Sequence, residues 1–463
     1  MENQATTSTV HVVHCIDSEG PLYESLRSTF MRLEEIFELE LEPTVENLRL
    51  LQEEKLDLGG IEKEVAKVVA PHLLAYNDTW DKIDDMTRAM LSPEFLESRR
   101  DSFGNQWQYN WFCLDFVDFE YNPRRRDMGY HNIHDHYTDL LPSYGLGNDS
   151  IFFHFHATPF NRHAHHCSSN FLSFSPVLFQ ILARRIIDRQ WFPSTYRAGC
   201  QTLRPDIHWF LEQYIPFDYS SLACADVDQE AQADCARGRF DDWRRSALSW
   251  QPYHPAHDDY QVPGNCRRWL TRCLNIRSRL SAIDQAEMDR AFQEARAGRP
   301  VIVSISDHDF RDIRPDVDAC LEMLQSAEKR FDGVGYKFCN AVEAMRGALG
   351  LVNKEPVAFD LNIVKIGKDA HRLDIVADAD IFGPQPFLAL KTKSGQYFHD
   401  NLDFETPFRQ WSYILDEMTL PLDAIEAIGV AASDDTGTTT ITTLDTGSQK
   451  SATVVLNSHP AGG

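Results

Sequence analysis

The order of apolar segments along the chain constrains its fold more than any other feature of the sequence. Short apolar runs typical of buried strands occur at 8–17, 151–158 and 301–309, and amphipathic helical patterns such as FSPVLFQILARRIID at 174–188 separate them. Strands and helices alternate in this way over roughly 300 residues. This alternation predicts an α/β fold with a parallel sheet or barrel.

The pattern changes in two parts of the chain. Residues 22–100 form an acidic block of helical patterns after the first strand, and residues beyond about 350 form short strands separated by Gly, Asp and Ser. Closely spaced short strands are typical of an all-β sandwich. We therefore predict a barrel domain at 1–350, with the helical block at about 22–100 as an insertion, and a β-rich, sandwich-like module at 351–463.

Charge and hydropathy exclude several classes of function. The 463 residues include 45 Lys and Arg against 70 Asp and Glu, and the resulting net charge of −25 repels phosphate backbones. No stretch reaches the roughly 18–20 apolar residues that span a bilayer, and the N-terminus has no signal-peptide pattern. We expect no nucleic-acid partner, no membrane insertion and a cytoplasmic location, where the ten scattered cysteines stay reduced.

Histidine is concentrated in one part of the sequence. Eight of the 18 histidines lie between His131 and His166, and imidazole is the commonest metal ligand and proton carrier in proteins. His154 and His156 end an apolar strand at positions i and i+2, so both side chains project from the same face. The carboxyl ends of parallel strands form the mouth of an α/β active site. The pair predicts a metal site there, with His165 as a third candidate ligand; two hydrogen-bonded strand histidines are the alternative.

Charged residues follow two other predicted strands. Asp17 and Glu19 end the first strand and share a face if the chain stays extended, although acids are also favoured at a helix N-terminus. His308 follows the strand at 301–309 and can protonate a leaving group, or it can bond to a neighbouring acid such as Asp309. Arg197 can keep a carboxylate ionised and oriented, or form a surface salt bridge.

Taken in chain order, these motifs resemble those of the polysaccharide deacetylase superfamily, whose NodB-homology domain is a distorted β/α barrel. That family has an acidic pair after strand one, then a histidine motif, an arginine motif, a Tyr-Asp-Ser-Ser-like element and a terminal strand ending in histidine. The resemblance covers about residues 8–345, and its counterparts here are Asp17-Ser18-Glu19, His154 and His156 with His165 beyond, Arg197, Phe217-Asp218-Tyr219-Ser220-Ser221, and His308.

Two motifs depart from the family pattern. The family has TFDDGP where this chain has CIDSEGP, so that Glu19 stands at the position of a metal-binding aspartate. The family's histidines are spaced H-x3-H, whereas no two histidines in this chain are four residues apart. His154, His156 and His165 would have to replace that motif, and the sequence leaves open which of them bind the metal.

The resemblance implies a metal-dependent hydrolase that removes an N-acyl group, acetyl or formyl, from an amino sugar or a related carbohydrate precursor. Its cofactor would be a divalent metal, with zinc the first choice for nitrogen and oxygen ligands. By similarity, Asp17 is the general base, Arg197 orients it, and His308 protonates the departing amine. The metal ligands come from the set Glu19, His154, His156 and His165.

Two other classes of function remain open from sequence. A barrel followed by a β-sandwich is also common among glycoside hydrolases, which use two carboxylates and no metal; Asp17 and Asp309 could form that pair. Alternatively, the protein could be a non-catalytic carbohydrate-binding scaffold with a degenerate barrel. A cyclic-amide hydrolase is less favoured, because the HxH motif of those enzymes ends the first strand rather than a later one.

Overall fold

A computed structural model describes residues 8–115, 129–156, 171, 175–199, 205–225, 243–352 and 354–458. Its first part is a closed barrel of seven parallel strands with flanking helices. The barrel strands are β1 (Ser8–Ser18), β2 (Tyr109–Asp115), β3 (Ile151–Phe155), β4 (Thr195–Ala198), β5 (Phe217–Ser221), β6 (Trp269–Asn275) and β7 (Val301–His308). The predicted α/β barrel is therefore confirmed.

The first strand closes the barrel because it pairs along both of its edges. One edge of β1 runs parallel to β7 from Val10 to Asp17. On the other edge, its C-terminal half pairs with β2 from His14 to Ser18, and its N-terminal half pairs with an additional parallel strand, β8 (Val334–Phe338). The eleven residues of β1 thus join three neighbouring strands.

Side chains alternate between the inside and the outside of the barrel. Along β1, Val10, Val12 and Ile16 belong to a hydrophobic cluster shared with the outer helices. Val13 and Cys15 belong to a second cluster, which collects side chains from six of the barrel strands and from the helix Ala341–Leu349. This inner cluster fills the barrel below its C-terminal end with apolar side chains.

Twelve α-helices lie within the described ranges. Six of them come between β1 and β2, where the sequence predicts the insertion. They are α1 (Leu26–Phe37), α2 (Val45–Gln52), α3 (Glu62–Val68), α4 (Pro71–Leu74), α5 (Trp80–Met90) and α6 (Pro93–Glu97). The others are α7 (Asn132–Leu140), α8 (Ser175–Arg189), α9 (Ile207–Tyr214), α10 (Gln285–Arg296), α11 (Arg314–Arg330) and α12 (Ala341–Leu349).

The inserted helices follow local sequence signals. Ser25, Thr44 and Thr79 each accept a backbone N–H three residues on, which caps the start of a helix. Helices α1 to α3 share a small apolar core, whereas α5 packs Ile83 and Met86 against the outer cluster of the barrel. The inserted block therefore has its own core, and α5 is one of the elements that join it to the barrel.

The C-terminal part consists of antiparallel sheets, as the short-strand pattern predicts. Its strands are β9 (Phe359–Lys365), β10 (His371–Ala377), β11 (Phe387–Thr392), β12 (Tyr397–Asp400), β13 (Asp403–Thr406), β14 (Gln410–Leu415), β15 (Ile425–Ser433), β16 (Thr439–Asp445) and β17 (Lys450–Leu456). They form a four-stranded sheet in the order β13-β14-β10-β9 and a five-stranded sheet in the order β12-β11-β15-β16-β17. One apolar cluster includes side chains from both sheets.

The five-stranded sheet also contacts the barrel. Phe387, Ala389 and Ala431 belong to the outer cluster that contains the apolar face of α8. Arg346 of α12 is largely buried and donates hydrogen bonds to the backbone oxygens of Thr436 and Asn457. None of the described helices is long and apolar enough to cross a membrane.

Candidate metal centre

Strand pairing brings the predicted site residues to one end of the barrel. In the β1–β7 register Asp17 lies opposite His308, and in the β3–β4 register His154 lies opposite Arg197. Residues paired in this way project to the same side of a sheet. Because the barrel is closed, the two pairs meet across its interior, and Arg197 Nε lies 2.7 Å from Asp17 Oδ1.

Three potential metal ligands lie close together in this group. Glu19 Oε1 is 3.4 Å from His156 Nε2 and 3.7 Å from His154 Nε2, and the two imidazole Nε2 atoms are 3.1 Å apart. A tetrahedral zinc ion about 2.1 Å from each ligand would hold ligand atoms about 3.4 Å from one another. The three separations bracket that value, so Glu19, His154 and His156 could hold a metal ion.

The hydrogen bonding of His154 suits a metal ligand. Its Nδ1 lies 3.0 Å from the backbone oxygen of Arg197, which can only accept, so Nδ1 carries the hydrogen. Its Nε2 is then a lone-pair donor that points towards Glu19 and His156. Metal-binding histidines usually bond their second nitrogen in this way, which fixes the tautomer and the ring orientation. His154 and Glu19 are both buried.

Asp17 is held by a buried arginine rather than by a surface salt bridge. Both residues are 3% exposed. Arg197 donates from Nε to Asp17, from Nη1 to the backbone oxygen of Tyr219 (3.2 Å) and from Nη2 to Ser306 Oγ (2.8 Å). Burial acts to raise the pKa of Asp17, but the guanidinium of Arg197 outweighs it, so the pKa lies below its usual range. Asp17 is therefore ionised at neutral pH.

His308 faces the two acids that follow β1. Its Nε2 lies 3.9 Å from Asp17 Oδ2 and 3.7 Å from Glu19 Oε1, and its side chain is 29% exposed. Burial lowers the pKa of His308 well below 6.5, although Asp17 acts in the opposite direction, so the imidazole is neutral near pH 7. Its neighbour Asp307 binds His14 Nε2 at 2.8 Å on the opposite side of the strand.

Asp309 has a role that the sequence did not indicate. It is 1% exposed, and its carboxylate accepts hydrogen bonds from the backbone N–H groups of Glu19 (2.9 Å) and Gly20 (3.0 Å) and from Tyr137 Oη (2.9 Å). It therefore anchors the turn after β1. Ser306, which accepts a hydrogen bond from Arg197, was not predicted either, although it precedes His308 by two residues and so shares its face of the strand.

Six of the seven candidate site residues lie within the described ranges. His165 belongs to the segment 157–170, which lies outside the described residues. Of the seven candidate site residues, the other six are described, and they converge at the C-terminal end of the barrel. They are Asp17, Glu19, His154, His156, Arg197 and His308.

Comparisons of the chain with protein-family models, with curated proteins and with solved structures found no match.

Proposed function

We propose that the protein is a metal-dependent amide hydrolase that removes an N-acyl group, acetyl or formyl, from an amino sugar or a related carbohydrate precursor. The observation that carries the proposal is the side-by-side arrangement of two groups at the mouth of the barrel. The triad Glu19, His154 and His156 has the spacing of a metal site, and beside it lies an ionised carboxylate, Asp17, held by Arg197.

The donor set favours a divalent metal with a preference for nitrogen and oxygen, zinc first. A metal held there would supply a Lewis acid for the amide carbonyl and would favour deprotonation of a water nucleophile. The restriction to carbohydrate substrates comes from the order of the motifs, which resembles that of the polysaccharide deacetylases, and not from the geometry.

The residues of the chain have distinct tasks in this reaction. Asp17 accepts a proton as the water oxygen bonds to the carbonyl carbon, and Arg197 keeps the carboxylate ionised and oriented for that step. The C–N bond then breaks, the nitrogen gains a proton from His308, and the acyl group leaves as a carboxylic acid. Because His308 is neutral at rest, it must take up that proton during the cycle, and Asp17 Oδ2 lies 3.9 Å away.

The two-carboxylate alternative receives less support. A glycosidase would need a second carboxylate facing the substrate, and Asp309 was the candidate from sequence. Its oxygens instead bind two backbone N–H groups and a tyrosine hydroxyl, and it is buried. Asp309 thus anchors the turn after β1. The metal-dependent mechanism uses Asp17 as its base and does not need Asp309.

The test combines metal analysis with an assay of acyl release. Purified protein reconstituted with zinc should bind one ion per chain and release acetate or formate from one member of a panel of N-acyl amino sugars. Asp17→Asn should lower kcat by about 10²–10⁴-fold, as loss of a general base does, without lowering metal content. Asp258→Asn, at an exposed acid, is the matched control and should change neither. Absence of metal binding, or acyl release that chelators leave unchanged, would overturn the proposal.

A further inference from the structure

One residue of the inserted block, Asn77, contacts the loops that follow two different barrel strands. Its backbone N–H donates to the oxygen of Phe310 (2.8 Å), and its Nδ2 donates to the backbone oxygens of Asp309 (2.9 Å) and Arg311 (3.1 Å). Its own backbone oxygen accepts from the N–H of Leu22 at 3.1 Å. Asn77, between α4 and α5, therefore links the loop after β7 to the segment after β1.

Asp309, whose backbone oxygen accepts from Asn77, also holds the turn that contains Glu19. Asn77 fixes the backbone of Asp309, and the Asp309 carboxylate binds the backbone N–H groups of Glu19 and Gly20. The connection from the inserted block to a candidate metal ligand thus has two steps. Gly20 has φ +73°, and a Cβ there would lie 3.1 Å from the ring of Trp80 in α5, so the same block also covers the turn.

Further contacts join the loop after β7 to the block. Arg311 Nε donates to the backbone oxygen of Leu73 at 3.2 Å, and the N–H of Ile313 lies 3.4 Å from Met86 Sδ. This loop begins at the residue after His308, and the N–H of Asp309 donates to the backbone oxygen of Asp17 in β1 at 3.4 Å. The hydrogen bonds from the insertion add to this contact and stabilise the conformation of the loop, each contributing about 0.5–1.5 kcal/mol.

We propose that Asn77 is a positioning residue, through which the helical insertion holds the loop after β7 against the turn of Glu19, and so keeps Glu19 where the candidate metal centre requires it. The inference rests on the proposed function for its link to metal binding. It gives the inserted block a task that neither its composition nor its helical pattern indicated: the block is part of the site's support and not a separate appendage.

The test uses a substitution of the same shape as the original side chain. Asn77→Asp removes both N–H donors of Nδ2 and sets a carboxylate against two carbonyl oxygens. Asn47→Asp is the matched control, because Asn47 Nδ2 also donates to a backbone oxygen, that of Glu42 at 2.9 Å, on an exposed part of the same block. Hydrogen exchange of peptides covering 19–24 and 309–313, and the zinc Kd from competition with a chelator, are measured for both variants.

We expect Asn77→Asp to accelerate exchange in both peptides and to raise the zinc Kd about 10–100-fold, the usual effect of changing a support of a ligand. Asn47→Asp should change neither quantity. If Asn77→Asp leaves exchange and Kd at wild-type values, the positioning role is wrong. If Asn77→Asp does not fold, Asn77→Ser, which is smaller and uncharged, replaces it in both measurements.

The two proposals fail in different ways. If the wild-type protein binds no zinc, the proposed function is overturned, and the exchange data alone decide whether Asn77 supports the two loops. If zinc binds and Asn77→Asp changes neither loop, the proposed function stands without the positioning role.

Discussion

The buried pair of Arg197 and Asp17 allows a quantitative test of the site. Arg197→Met removes three donated hydrogen bonds and leaves the Asp17 carboxylate almost fully buried without its cation. Loss of one partner from a buried ion pair costs about 3–5 kcal/mol of unfolding free energy, whereas loss of a surface pair costs about 0–1 kcal/mol. We expect Arg197→Met to lower the free energy of unfolding by about 3–5 kcal/mol.

A double-mutant cycle separates the pair from the rest of the site. Asp17→Asn alone strands the buried guanidinium of Arg197 and should also destabilise the protein by about 3 kcal/mol or more. The double variant, Asp17→Asn with Arg197→Met, has no unpaired buried charge. Its loss of unfolding free energy should therefore be about 2–3 kcal/mol smaller than the sum of the losses of the two single variants. Arg197→Lys should fall between wild type and Arg197→Met, because an ammonium group cannot reach all three acceptors.

The assay is equilibrium unfolding in guanidinium chloride, followed through the nine tryptophans. It is performed with a chelator present, so that bound metal does not contribute to the measured stability. An Arg197→Met loss below about 1 kcal/mol, or single losses that add within about 0.5 kcal/mol, would refute a buried, coupled pair.

Two further outcomes follow from the contacts. Glu19→Gln should weaken zinc binding about 10²-fold, which lowers the stabilisation by saturating zinc by about 2.7 kcal/mol, and should therefore reduce the rise in thermal midpoint that zinc gives the wild type. An unchanged midpoint shift would exclude Glu19 as a ligand. Burial lowers the pKa of His399 to about 4, below its unfolded value of 6.5, so stability should fall by about 3 kcal/mol as pH drops through that interval. His399→Gln should reduce this slope, measured by unfolding at each pH.

Local sequence rules were sufficient for much of the candidate site. The two-residue period of a strand predicted that His154 and His156 share a face, and the strand ends predicted that Asp17 and His308 lie at one mouth. Both predictions depend only on backbone geometry within a strand and on strands running parallel. The observed register then adds what the period cannot give, namely that Asp17 lies directly opposite His308.

Contacts between distant segments could not be predicted in the same way. Asn77 and Asp309 are separated by 232 positions, and Asn77 donates to backbone oxygens, which every residue has and no sequence pattern marks. Asp309 illustrates the same limit. An acid after a buried strand suits catalysis, metal binding or a turn anchor equally, and only the positions of the Glu19 and Gly20 N–H groups distinguish among them.

The layering of side chains inside the barrel explains why the chemistry lies at one end. Along β1 the inward positions run from Val13 to Cys15 to Asp17, and along β3 from Phe152 to His154, so polarity increases towards the C-terminal end. The apolar layer below excludes water, and a low dielectric strengthens the attraction between Arg197 and Asp17. Val13, Cys15 and Phe152 of that layer are almost fully buried, so the interior below the site is filled by side chains. A substrate must therefore approach from the C-terminal end, where the loops after β1 and β7 lie, and this is the end that the helical insertion supports.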